Sequence, residues 1–337
     1  MMILNNKHLA WMIGILMAFT ACEKAEKSMQ LPPRPLDSVA LVQVTLGEHS
    51  EDQVYVNFLD SNYVKSSVKN SCWDLAFDCA PETNRIFMNG GKGVFIGILG
   101  KGDFLKDVNL NKVNWRWDEA SGGDSIVLKN WCNQQTRHSL DSIYIIDRGA
   151  DVDLDKRYYQ FRISLGSFGV YEIEVADLKG KKLYQTYVNK DLHKNLVYFD
   201  FVQGKVLNFE PEVLDWQFCF LKCRWVYYEF NPPLIYTVTG LHINSRILSV
   251  AVDSTLNFDE ISLKNIPLMK FSSRRDVIGF DWKIYDFGSG RYQTRKYVTY
   301  IIRSKIFPGK FYKLRFTDYY NKQGIKGTPK FEVAEIK

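Results

Sequence analysis

The residues able to do chemistry are few and scattered. The chain of 337 residues has six cysteines and five histidines, and one of those histidines, His8, lies in the apolar N-terminal segment. No His-Glu-x-x-His run occurs, and no pair of carboxylates is spaced for acid–base work. Asp151-Val152-Asp153-Leu154-Asp155 has the spacing of half a calcium loop, but Lys156 stands where such a loop needs glycine and Arg162 where it needs glutamate. It reads instead as a hairpin turn. Asn89-Gly90-Gly91-Lys92-Gly93 lacks the full phosphate-loop spacing and also reads as a turn. Gly166-Ser167-Phe168-Gly169 is not a nucleophile elbow, because the G-x-S-x-G pattern is missing. The expectation is a protein that is not an enzyme. His138 and His242 remain as isolated imidazoles, each expected to be satisfied by a backbone hydrogen bond.

Cys22 is different, because its neighbours give it a role. Lys7 supplies a short basic start, and an apolar run extends from Leu9 to Ala21. That run is shorter than the roughly 20 residues a bilayer-spanning helix needs, and matches a signal-peptide core. It ends in Phe19-Thr20-Ala21-Cys22, which resembles the lipobox of bacterial lipoproteins. The resemblance implies removal of residues 1–21 and a diacylglycerol on Cys22, anchoring the chain to a membrane. Residues 22–38 are first charged and then Pro-rich (Leu31-Pro32-Pro33-Arg34-Pro35), as suits an extended tether. The expected location is the cell envelope, facing the periplasm or the cell surface.

The other cysteines are Cys72, Cys79, Cys132, Cys219 and Cys223, an odd number that leaves at least one thiol free. Cys72 with Cys79, and Cys219 with Cys223, fall within single expected strands. Even the nearer pair would then lie roughly 13 Å apart, beyond bridging distance. They read as small buried residues, with a disulfide between distant strands left open. Cys219-x3-Cys223 lacks a companion pair for zinc.

The charge of +6 is unevenly spread: Lys270 to Lys337 holds 16 Lys and Arg against 6 Asp and Glu. This suits a lysine-rich β surface, or a face for an anionic ligand or lipid phosphates. No nucleic-acid motif accompanies it.

The elements that must position any site come from a chain that repeats itself. Tyr55-Val56-Asn57-Phe58 precedes Trp73-Asp74-Leu75-Ala76-Phe77 by 18 residues, and Tyr198-Phe199-Asp200-Phe201 precedes Trp216-Gln217-Phe218-Cys219-Phe220 by the same 18. Tyr144-Ile145-Ile146 with Tyr159 to Ile163 is matched by Tyr300-Ile301-Ile302 with Tyr312 to Phe316. Each block alternates with period two, which predicts half-buried strands, with Trp73, Leu75, Phe77 and Cys79 on one face. Gly- and Pro-containing turns separate the blocks, and no long amphipathic helix is evident. The expected fold is mainly β: two related antiparallel lobes, sandwich- or barrel-like, over 39–185 and 186–337.

The second copy, with Tyr198 to Val206, Asp215-Trp216, Tyr300 to Arg303 and Tyr312 to Tyr320, resembles the HmuY-like lipoproteins of Bacteroidota. The first copy carries that family's Trp-Asp-Leu-Ala-Phe strand at 73–77, and Trp131 to Arg148 resembles its next segment. The resemblance implies an all-β, hand-shaped fold, outer-membrane lipidation, and haem capture beside an outer-membrane receptor or surface protein. It does not carry the family's axial histidines across. Five residues after Trp282 stands Phe287, and five after Trp131 stands Thr136, with His138 two further on. Met88 and Met269 are the thioethers in comparable neighbourhoods. Met88, His138 and Met269 are therefore the candidate ligand-binding residues, haem the candidate cofactor, and an adhesive or structural surface protein the competing reading.

Overall fold

The alternating blocks form strands wherever apolar and β-branched or aromatic residues recur at every second position. The computed structural model describes residues 38–337 except 124, 134, 137 and 167–169. The expected signal segment, Cys22, most of the expected tether and the Ser167 loop thus lie outside the described residues. The first copy supplies β1 (Ala40–Gln43), β2 (Asp52–Val56), β3 (Val64–Lys69), β4 (Leu75–Asp78), β5 (Ile86–Met88), β6 (Phe95–Lys101), β7 (Trp115–Arg116), β8 (Ser142–Asp147), β9 (Tyr158–Leu165) and β10 (Tyr171–Ala176). The second supplies β11 (Lys182–Val188), β12 (Leu196–Asp200), β13 (Lys205–Leu207), β14 (Phe218–Tyr227), β15 (Leu234–Ile243), β16 (Leu248–Asp253), β17 (Lys283–Asp286), β18 (Arg291–Thr294), β19 (Thr299–Ser304), β20 (Phe311–Tyr320) and β21 (Lys326–Glu335).

The strands build two sandwiches of antiparallel sheets, and none of these sheets closes into a barrel. In lobe A the sheet β1-β21-β20-β19-β16 shares a core with β15-β14-β2-β3 through Val54, Phe218, Phe220, Tyr300, Phe316 and Phe331. In lobe B the sheet β11-β10-β9-β8-β6-β7 shares a core with β13-β12-β4-β5 through Leu75, Phe77, Ile146, Phe161, Ile173 and Phe199.

The copies do not coincide with the lobes. β2 of the first copy pairs with β14 of the second, Val54 opposite Phe220, while β12 of the second pairs with β4 of the first, Val197 opposite Phe77. Likewise β1 pairs with β21 and β11 with β10. Each lobe therefore takes its first three strands from the other copy. The division expected at 185/186 falls inside β11 and separates neither core. The copies join at the tight turn between β10 and β11, where Asp177 Oδ1 accepts from the backbone N–H groups of Lys179 and Lys181. At the turn's tip Gly180 adopts φ +83, a left-handed conformation suited to glycine.

The equivalence extends to single hydrogen bonds. Asp74 N–H donates to Phe199 O and Gln217 N–H to Val56 O, both at 2.8 Å. Asn89 Nδ2 donates to Asn70 O and Trp73 O, as Asn244 Nδ2 does to Val213 O and Trp216 O. One departure from the alternation has a clear cause. Trp73 does not share the face of Leu75 and Phe77, because the chain bends at Asp74, between it and β4, as it does at Gln217 before β14. Trp73 packs instead with Ala76, Phe87 and Tyr198, and Trp216 with Tyr55, Cys219 and Leu221. The strands β4 and β14 are consequently buried on both faces, one in a lobe core and one between the lobes.

Candidate functional site

The site is built where the outer faces of the two four-stranded sheets meet. On lobe A, a cross-strand row runs His242, Cys219, Tyr55 across β15, β14 and β2. On lobe B, the equivalent row runs Phe87, Ala76, Tyr198 across β5, β4 and β12. Each row sets a small residue between two large ones. Tyr55 packs edge-on against Trp216 and Tyr198 edge-on against Trp73, both with ring centroids at 4.9 Å. Cys219 and Ala76 lack the volume to fill the space between, and a cavity of about 500 Å³ remains, lined by both rows. That volume is within the range of small-molecule sites.

At one end of the cavity lies a buried carboxyl. Oε1 of Glu210 accepts from the backbone N–H groups of Asn195 (2.7 Å) and Leu196 (3.2 Å). Its Oε2 meets the hydroxyls of Tyr198 (3.2 Å) and Tyr55 (3.4 Å). Burial pushes the Glu210 carboxyl up to about 7, against the pull of these donors. Gln53 extends the network by donating to the Tyr55 hydroxyl (2.9 Å) and accepting from Trp73 Nε1 (2.9 Å).

At the other end, Asp118 accepts from Met88 N–H (2.9 Å) and Val127 N–H (2.8 Å), and burial raises its carboxyl to about 6. Arg224 lies over the Phe95 ring at 4.3 Å and donates through Nη2 to Val94 O. Arg275 lies over Phe87 at 4.5 Å and donates through Nε to Ala120 O. Burial holds the affinity of both guanidinium groups for their protons below the usual range.

Four buried polar atoms among the cavity-lining residues have no hydrogen-bond partner: Asn195 Oδ1, Trp216 Nε1, Arg224 Nη1 and His242 Nε2. Native interiors leave few such atoms, and each costs about 1–3 kcal/mol. Burial, and secondarily the Arg275 charge, keep the His242 imidazole neutral. The site can therefore offer donors, an acceptor and a neutral imidazole to a guest between aromatic walls.

The three residues chosen from the sequence are not brought together. Met88 lies on β5, buried in the lobe B core, and also lines the cavity. His138 is exposed on the loop before β8, where its carbonyl accepts from Asn133 N–H. Met269 is half-buried in a separate cluster with Ala251, Ile261, Ile301 and Ile336. His242 departs from its expected backbone-satisfied state, since Nε2 has no partner. Glu210, Arg224 and Arg275 belong to no motif, and their only sequence signal is a charge within an otherwise strand-like or aromatic stretch. Among the described residues no group of three or more His, Cys, Asp or Glu side chains converges.

The glycine run at 89–93 has a structural role. Lys92 Nζ pairs with buried Asp74 at 2.6 Å. A Cβ on Gly91 would sit 2.3 Å from the Lys222 carbonyl oxygen, so glycine allows this close approach. Asp153 and Asp155 are exposed beside a 3-10 turn between β8 and β9. No disulfide joins the five cysteines among the described residues.

Neither a family model nor a curated protein matches the chain. A solved structure of a Bacteroides fragilis protein, provisionally assigned as a lipoprotein, is 13% identical over 88% of each chain, with a TM-score of 0.19.

Proposed function

We propose that this protein is an outer-membrane lipoprotein, anchored through Cys22, that binds a planar, largely apolar ligand in the cavity between its lobes and catalyses no reaction. The carrying observation is the set of four unpartnered polar atoms around a cavity walled by Trp73, Tyr198, Tyr55 and Trp216. A guest with matching polar atoms would satisfy these groups.

Haem is the specific ligand to test first, in keeping with the HmuY-like resemblance. The donor chemistry fits at one position: neutral His242 presents an unpartnered Nε2 beside the cavity, a nitrogen suited to iron. Met88 lines the same cavity, and Arg275 is a cation suited to a propionate, whereas His138 and Met269 lie outside the lining. Bound haem would supply a redox-active iron. The chain's own part would be to hold the ring and exclude water.

Haemin is titrated by absorbance into the purified protein in detergent, against empty micelles, in both redox states. The expected result is a saturable Soret shift that His242→Ala weakens. Saturable binding indifferent to His242 would remove the axial assignment, and the absence of binding would remove haem as the ligand.

A second reading, adhesion to a protein partner, is favoured by aromatic residues on two hairpins. Tyr228, Phe230 and Tyr236 are exposed around the β14–β15 turn, and Phe287 is 90% exposed on the β17–β18 turn. Serine replacements there would abolish partner capture while leaving ligand binding intact.

A further inference from the structure

Among the cations that line the cavity, Arg246 is exposed and Lys222 partly so, while Arg85 is paired with Asp78 and Arg274 with Asp276. Arg224 and Arg275 are not: among the described residues neither has a carboxylate within ion-pair distance. The acid nearest to both in electrostatic effect is Asp118, and its two oxygens are each already engaged by a backbone N–H. One carboxyl thus faces two guanidinium groups, and burial makes even that carboxyl reluctant to ionise. Arg224 is 2% exposed and Arg275 partly exposed, and a buried cation without a counter-charge is costly. Removing Asp118's charge leaves the imbalance larger.

We propose that the cavity takes a carboxylate-bearing aromatic ligand, whose acid group sits between Arg224 and Arg275 and whose ring body lies toward the Tyr–Trp pairs. This rests on the reading of the cavity as a binding site and adds the ligand's chemical class. Arg224 Nη1 is buried and unpartnered, while Nη2 is fixed on Val94 O and the guanidinium on the Phe95 face. Arg275 is similarly fixed by Ala120 O and the Phe87 ring. Both forks are held in place before any ligand arrives, and a planar carboxylate is the group such forks match. Trp216 Nε1 and His242 Nε2 remain for polar atoms elsewhere on the ligand.

The test is calorimetric titration of the purified protein in detergent, against empty micelles, with naphthalene-2-carboxylate and with naphthalene-2-carboxamide. The two share a ring and differ in charge. The carboxylate is expected to bind about tenfold more tightly, the contribution of one charge-assisted hydrogen bond. Arg275→Gln is expected to erase that difference while the carboxamide still binds. Arg224→Gln should do the same, and if the loss of the Val94 contact unfolds it, Arg275→Gln and the wild-type comparison decide. Equal affinity for the two probes would overturn the carboxylate assignment and leave the cavity reading standing. If neither probe saturates, or if Cys219→Trp, which sets a bulky ring between the Tyr–Trp pairs, leaves binding unchanged, the cavity reading falls and this inference with it.

Discussion

Tyr55 and Tyr198, 143 positions apart and equivalent in the two copies, place their hydroxyl oxygens 2.6 Å from each other at the junction of the lobes. Each ring stands edge-on to the tryptophan of the opposite copy's block, Tyr55 to Trp216 and Tyr198 to Trp73. The contact marks the place where the exchanged strands cross, and it forms one wall of the cavity.

Tyr55→Phe should destabilise the protein by about 1–3 kcal/mol, because Gln53 Nε2 loses its acceptor and the Tyr198 hydroxyl a partner. Tyr198→Phe should cost a similar amount. The double variant should cost less than the sum, since the two share one network. Urea unfolding of the four proteins checks this, and simple additivity would mean that the hydroxyls are not coupled.

Stability should fall as pH rises through the range set by Glu210. Its folded value, about 7, lies above the ordinary 4.5. The folded state therefore holds the proton more tightly than the unfolded chain, and the advantage present below pH 4.5 is lost by pH 7. Asp118 acts in the same direction, while neutral His242 acts oppositely below its ordinary value. The clean readout is the difference between wild type and Glu210→Gln. Melting temperatures from pH 4 to pH 8 should show wild type losing roughly 3 kcal/mol relative to the variant.

Asp74→Asn should be among the more damaging single changes, at about 3–5 kcal/mol. It would leave Lys92 (2.6 Å) buried without its carboxylate and Arg148 (2.9 Å) with only Asp200, at 3.3 Å. Among the described residues the equivalent Gln217 in the other copy serves only Phe58 N–H through its side chain, so Gln217→Ala should cost about 1–3 kcal/mol. Denaturant midpoints for the two variants give the comparison.

The thiols should be present but slow to react. Burial pushes Cys79 and Cys223 up to about 12, and Cys219 further in the same direction. At pH 7.5, maleimide should modify half-exposed Cys72 first and reach the others only on unfolding. A reductant-sensitive gel shift would instead indicate a bridge.

Cys22→Ala should leave the precursor unprocessed or release the protein into the soluble fraction. Cleavage and membrane fractionation like wild type would end the lipoprotein assignment.

The sequence by itself determined the local structure. Aromatic and β-branched residues at every second position bury one face of a strand whatever the partner, so the strands around Tyr55, Trp73, Tyr144 and Phe161 and their equivalents were legible, as were the turns between them. The doubling of those blocks was legible for the same reason, since it lies in residue types at fixed spacing. Only the tertiary structure decided which copy each strand joins. Tyr55-Val56 and Tyr198-Phe199 carry the same pattern, so pairing within a copy or across copies would bury the same faces, and the choice rests on contacts between residues more than a hundred positions apart. The cavity arises from that choice. Ala76 and Cys219 are ordinary small residues along the chain, and become a gap only when the two sheets that hold them are set face to face. Arg224, Arg275, Glu210 and His242 then become site residues because the exchange places them around it.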